Sequence, residues 1–279
     1  VVAGSFADLP PAVRAKAREK RLLVLTKANS RSTVHRPAYL DYVGVKDFDD
    51  NGEVVGEHRF LGLFTNPAYA ESVLRIPVLR AKTRVVLEHA GFAITSHSGK
   101  DLLQILETYP RDELFHIDVD ELVPTVEAVL HLQERRQLRL FVRRDPYGRY
   151  LSCLVYLPRD RYDTAARRRI QELLLQATGG ESIDYTALVG ESVLARLHFV
   201  IRMPAGDQLP EVDEAQLERE LTTIVRAWPD DFADALADQV GEETGARLLR
   251  RYGRAFPEAF KEDFPARVGA ADGAGGDAR

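Results

Sequence analysis

Arg139, Arg143, Arg149, Arg196 and His198 fall in or beside two stretches of period-two sequence, interleaved with Phe141, Tyr150 and Tyr156. On a half-buried sheet, residues two apart share a face. The spacing therefore predicts an outer sheet face that presents guanidinium and imidazole groups among aromatic rings. Such a face suits another protein or a small ligand, and it could also stack the bases of single-stranded RNA. The glycine and aromatic signature of RNA-binding sheets is missing, and the formal net charge of −5 argues against nucleic acid. The candidates for an interface or effector site are Arg139, Phe141, Arg143, Arg149, Tyr156, Arg196 and His198, with RNA binding through the same face as the alternative reading.

Other chemistries have less to stand on. A dinucleotide site needs glycines between a strand and a helix, so that backbone amides can approach a pyrophosphate. No G-x-G-x-x-G occurs, and Gly241-Glu242-Glu243-Thr244-Gly245 lies in an acidic stretch that would repel phosphate. His97 and Ser98 with Asp101 are too local to make a triad and read as helix-cap chemistry. The seven His are scattered without the i, i+4 spacing and added carboxylate that would hold a metal. Cys153 alternates with Leu151 and Val155 and reads as a small core residue. No catalytic, cofactor-binding or metal-ligating residue is expected.

A single Cys in 279 residues excludes a disulfide-stapled secreted scaffold and points to a reducing compartment, the cytoplasm. No apolar run approaches the roughly 18 to 20 residues that cross a bilayer, so no membrane partner is expected. The absence of an initiator Met and the small-residue tail from Gly269 suggest a segment of a longer polypeptide.

These residues must be positioned by a recurring pattern of elements. Pro11 to Lys20 reads as a solvated helix, and Leu22 to Thr26 as a buried strand. Tyr39–Phe48 and Val54–Phe64 flank Asn51-Gly52, the strongest short hairpin signal. Helices follow over Val78 to Gly91 and from Ser98 to Pro110. A further helix begins near Asp118, with Pro124 expected in its first turn. Leu138–Arg144 and Leu151–Leu157 alternate around Asp145-Pro146-Tyr147-Gly148-Arg149, a second hairpin. Thr164–Thr178 is helical, and Ile183–Val189 with Leu194–Met203 form the last strands. Helix, hairpin, helix, hairpin predicts a two-layer sandwich of ferredoxin-like character. The expected fold class is α+β: one small antiparallel-sheet domain over 1–111, a second over 112–204, a helical segment over 205–265 and a disordered tail over 266–279. Residues from Ala205 onward carry 17 acidic against 9 basic side chains, whereas His131 to Ile170 carry 11 basic against 4 acidic. Opposite charges of this kind can mark complementary surfaces in an assembly.

Several long blocks resemble the large bacterial NAD-specific glutamate dehydrogenases. These are Leu132 to Arg149 (LQERRQLRLFVRRDPYGR), Ser152 to Asp160, Glu191 to Phe199 (ESVLARLHF), Trp228 to Phe232 (WPDDF), Arg251 to Pro257 and Asp50 to Phe64. They span almost the whole chain in the expected order. The resemblance implies the non-catalytic region ahead of the catalytic domain, built of a PAS-type module, an ACT-like module and helical connectors. It implies a regulatory or oligomerisation segment of an enzyme that oxidatively deaminates L-glutamate to 2-oxoglutarate and ammonium with NAD. The expected partners are the catalytic domain of the same chain, other subunits of a homo-oligomer and an amino-acid effector, with no cofactor in the segment itself.

Overall fold

The chain, described from a computed structural model over residues 15, 17–34, 37–135, 137–204, 209–226 and 228–252, divides into two compact units. The first unit takes the described residues up to Arg135 together with Arg143–Ser152, and the boundary thus falls inside a hairpin. Half of the predicted leading helix and the whole predicted tail lie outside the described residues.

In the first unit, β1 (Leu23–Arg31), β2 (Tyr39–Phe48) and β3 (Val54–Gly62) make an antiparallel meander in the order β1-β2-β3. The predicted Asn-Gly hairpin forms as expected. Gly52 takes φ +72°, and the Asp49 carboxylate accepts hydrogen bonds from the backbone N–H groups of Asn51 and Glu53. Five helices follow: α1 (Asn66–Ala70), α2 (Pro77–Ala90), α3 (His97–Thr108), α4 (Arg111–His116) and α5 (Val119–Arg135). Proline opens α2, and Gly91 closes it in the left-handed conformation at φ 68°. Ser96 caps α3 by accepting from the Gly99 N–H, so the cap stands two residues before the predicted Ser98. α5 packs on α2 and α3, around Leu79, Val86, Leu102, Leu106, Leu122 and Val126, all withdrawn from solvent. Pro124 lies inside α5, in its second turn, where it forgoes the bond to the Asp120 carbonyl.

The second unit carries β4 (Arg139–Arg144) and β5 (Tyr150–Pro158) except for their Arg143–Ser152 end, together with α6 (Thr164–Thr178), β6 (Ser182–Leu188), β7 (Leu194–Arg202) and α7 (Glu214–Val225). The sheet order is β4-β5-β7-β6, and α6 and α7 pack on one another. Asp163 caps α6 and Gly179 ends it at φ 65°. The sequence reading paired α6 with the helix that precedes the first hairpin. The structure instead supplies α7, after the last strand, while α5 groups with the first unit. The module is therefore ββαββα, and moving its last strand and helix to the front yields the βαββαβ of a ferredoxin-like sandwich. β5 is buried at every position from Tyr150 to Leu157, and Ala195, Leu197, Phe199 and Ile201 of β7 are wholly enclosed.

Beyond α7, α8 (Trp228–Val240) and α9 (Glu242–Tyr252) form a hairpin of helices about Phe232, Ala235, Leu236 and Leu248. Gly241 makes the turn at φ 83°. Gly245 lets the two backbones approach, since a Cβ there would sit 3.0 Å from the Ala237 nitrogen. The Gly-x-x-x-Gly of the sequence is thus a packing device.

Candidate functional site

The structure divides the predicted site residues into groups. Arg139 of β4 is exposed and reaches the Glu218 carboxylate on α7 at 3.0 Å, while the other Glu218 oxygen accepts the Leu140 backbone N–H at 2.8 Å. Phe141 meets Tyr156 edge-on, with ring centroids 6.1 Å apart at 83°. Burial pushes the Tyr156 hydroxyl up to about 12, against the opposing charge of Arg196. Phe141, Tyr156 and Arg196 thus form one cluster, with His198 further along β7.

Much of that face is withdrawn from solvent, contrary to the expectation that it presents free cations, and only Arg139 stands exposed. Tyr156 is 7% exposed and His198 6%. Period two identifies which residues share a face but not whether the face is covered. Bases cannot stack on rings that are already buried.

Arg143 and Arg149 belong to a different place, the far end of the β4–β5 hairpin within the first unit. The Arg143 guanidinium grips Glu113 of α4 with two hydrogen bonds, one of them Nη2 to Oε2 at 2.8 Å, and also donates to the Tyr150 hydroxyl at 3.2 Å. Burial opposes its charge, but the Glu113 carboxylate outweighs burial and holds it protonated. Asp145 closes the turn, accepting from the Arg149 side chain at 2.9 Å and from the Thr26 hydroxyl at 3.1 Å. Arg149 also lies over the Tyr147 ring, 4.9 Å from its centroid.

Beside this pair stands a second buried ionic group. Lys27 of β1 bonds Asp41, its directly opposed partner on β2, at 2.6 Å and Asp112 of α4 at 3.0 Å. Asp112 also accepts from the Tyr69 hydroxyl at 2.7 Å. Two carboxylates share one ammonium, and their titrations part accordingly. Burial raises the Asp41 carboxyl, whereas at Asp112 the pull of Lys27 and Tyr69 overcomes burial and lowers it. His116 lies 4.0 Å from Asp41, and burial drives its imidazole down to about 3, so it is neutral. Lys82 of α2 donates to the carbonyls of Leu114, Phe115 and Ile117 at 2.9, 2.9 and 2.5 Å, capping the carboxyl end of α4, and burial lowers it to about 8. A small cavity of about 90 Å³ opens among Arg21, Thr26, His116, Asp118, Arg143 and Tyr147. It has room for a few waters. A wider groove of about 450 Å³ runs beside Leu74, Arg80, Arg84, Leu87, Phe92 and Ile94.

Such an arrangement can hold elements in place, because each buried cation stands against a carboxylate or a set of carbonyls. Among the described residues no three His, Cys, Asp or Glu side chains converge as a metal would require. Sequence reasoning missed Lys27, Asp41, Lys82, Asp112 and Glu113. The usable signal was Lys27 at the end of an apolar strand, which the hairpin register sets directly opposite Asp41.

Three family models match the chain and together cover more than half of it. They are the glutamate dehydrogenase ACT2 domain over residues 139–229, helical motif 1 over 76–135 and helical motif 2 over 235–272. The first match coincides with the ββαββα module, the second with α2 to α5. Among curated proteins, the chain is 44% identical over 215 residues to an NAD-specific glutamate dehydrogenase of Halomonas elongata, a match that covers 77% of this chain and 13% of the relative. Corresponding enzymes of Pseudomonas aeruginosa and Mycobacterium tuberculosis match at 44% and 38% identity, over 77% and 76% of this chain and 13% and 14% of theirs. The matches thus span about one seventh of the length of these relatives.

Proposed function

From a chain that belongs to the NAD-specific glutamate dehydrogenase family, as the stretch holding its ACT2 domain and two of its helical motifs, we propose a role in regulation and assembly rather than in the chemical step. The reading rests on one observation: the part of the relatives that this chain matches is taken up by an ACT2 domain and helical motifs. The parent reaction is oxidative deamination of L-glutamate to 2-oxoglutarate and ammonium with NAD, in the cytoplasm, and its catalytic groups lie elsewhere in the longer polypeptide. The partners are that catalytic domain, further subunits of a homo-oligomer and an amino-acid effector. The ACT-like module offers the surface for the last two, through the exposed Arg139 and the half-buried Phe141 and Arg196.

The test has two parts. Fluorescence titration of the 279-residue chain with NADH is expected to show no saturable binding, and saturation at micromolar cofactor would overturn the reading. In the full-length parent enzyme, Arg139→Glu on the exposed side of the ACT2 sheet is expected to change oligomeric state or the response to amino acids. Unchanged assembly and an unchanged response would count equally against it.

A further inference from the structure

We infer that the groove between α2 and the loop leading into α3 is a docking site for an acidic amphipathic helix, supplied by the part of the parent polypeptide that lies outside this chain. The inference rests on the assembly role and deepens it, naming the surface that receives the rest of the polypeptide and the chemistry of what it receives. The matches cover 13–14% of the relatives, so most of such a polypeptide is available to supply the occupant. Phe92, Ala93 and Ile94 are consecutive, apolar and exposed, Phe92 at 36% and Ile94 at 42%. Loops between helices are ordinarily polar, and a run of apolar residues held in water marks a surface with a partner. The run is pinned at both ends. Gly91, in the left-handed conformation, lets the Phe92 N–H reach the Leu87 carbonyl at 3.3 Å. At the other end the Ser96 N–H and hydroxyl both donate to the Ala93 carbonyl, at 2.9 and 2.7 Å. Gly99 leaves room for that carbonyl, since a Cβ there would collide with it. The positions of Phe92 and Ile94 are thus fixed in advance, which lowers the ordering cost of docking.

The groove of about 450 Å³ sets these two side chains beside Leu74 and Leu87. All of its lining lies between Leu74 and Ile94, within the first unit. Arg80, Arg84 and Leu87 follow one another at i, i+4 and i+7, a single stripe of α2. A helix laid along that stripe meets the same spacing in its own side chains, its apolar residues entering the groove and its carboxylates, one turn apart, facing the two guanidiniums. Charge selects the acidic occupant, because Arg80 and Arg84 are both exposed. Glu88 stands 3.6 Å from Arg84, but the two side chains are 67% and 73% exposed. A pair so open to water is too weak to hold Arg84 against a better-placed carboxylate.

The test compares one position in two settings. In the 279-residue chain Ile94→Cys is expected to react freely with a maleimide. In the full-length parent enzyme the same position should react about tenfold more slowly, the modified peptide being read by mass spectrometry. Cys153 is buried and stays out of the assay. Arg80→Glu with Arg84→Glu in the parent should restore the fast reaction, whereas Arg80→Lys with Arg84→Lys should keep most of the protection, both with an unchanged circular dichroism spectrum. A photoreactive benzophenone side chain in place of Phe92 should join a peptide from outside this chain that carries carboxylates one turn apart among apolar residues. Equal reactivity in the chain and in the parent would overturn the docking site. So would protection that survives the charge reversal, or a cross-link to a peptide without such carboxylates. None of these outcomes touches the NADH and Arg139→Glu tests, so the docking site can fail while the regulatory reading stands.

Discussion

The two sheets are held by opposite means. At the centre of the four-stranded sheet, β5 and β7 enclose Leu151, Val155, Leu157, Leu197, Phe199 and Ile201, an apolar core of graded, replaceable contacts. In the three-stranded sheet the buried side chains include Lys27, Asp41 and Lys46, each locked to an opposite charge. Apolar contacts fail by degrees as volume is removed. An ionic pair fails at once, because removing one member leaves the other charged and without water. The first unit is thus the less tolerant of single changes, and the more specific in how its strands and helices meet.

The sharpest way to break this contrast is to separate Arg143 from Glu113. Glu113→Ala leaves a buried guanidinium without its carboxylate and is expected to cost about 3–5 kcal/mol in urea unfolding. Replacing both partners, Glu113→Leu with Arg143→Met, should recover most of that loss. If the double variant were as unstable as the single one, the pair would matter through shape rather than charge.

Acid should distinguish the units next. His116 has a folded value of about 3 against an ordinary 6.5, lowered chiefly by burial. The unfolded chain therefore takes up a proton that the folded chain refuses. Stability is whole above pH 6.5 and falls as the pH drops toward 3. Asp112 and Glu57, both held below the ordinary carboxylate range against the pull of burial, lose their contribution at lower pH still, whereas the raised Asp41 works the other way. In the variant His116→Leu, unfolding followed from pH 7 downward should lack the early part of this decline. An identical decline in the variant would assign it to other groups.

The core of the second unit is expected to respond in steps. Ile201 is fully enclosed on β7, so Ile201→Val should cost about 0.5–1.5 kcal/mol and Ile201→Ala about 2–5 kcal/mol. A cost for Ile201→Val as large as that for Glu113→Ala would erase the difference between the two units.

This difference also explains what could be read from the sequence. Apolar alternation located the β4–β5 hairpin, α6 and β7, and Asn51-Gly52 located β2 and β3, because each signal is local. Two things were not local. The choice of α7 over α5 as the second helix of the sandwich depends on which amphipathic helix covers the sheet, and both carry a suitable stripe. The ionic groups depend on partners far apart in sequence, Lys27 with Asp112 and Glu113 with Arg143, which no spacing rule connects. The same limit hid the covering of Tyr156 and His198, whose alternation is indistinguishable from that of an open face.

The smallest expected effect lies at the surface of the second unit. Arg226, just beyond α7, bonds Asp231 at 2.8 Å and also Asp234, both on α8, and these neighbours raise its already high pKa. The geometry resembles that of the buried pairs, but the Asp231 and Asp234 side chains are 52% and 67% exposed. Water and salt screen such an interaction, and ordering the long side chain offsets much of the gain. Arg226→Ala is therefore expected to cost less than about 1 kcal/mol, a difference that should shrink further in about 0.5 M salt. A loss comparable to that of Glu113→Ala would mean that burial is not what separates the two kinds of ion pair, and the contrast between the units would need another cause.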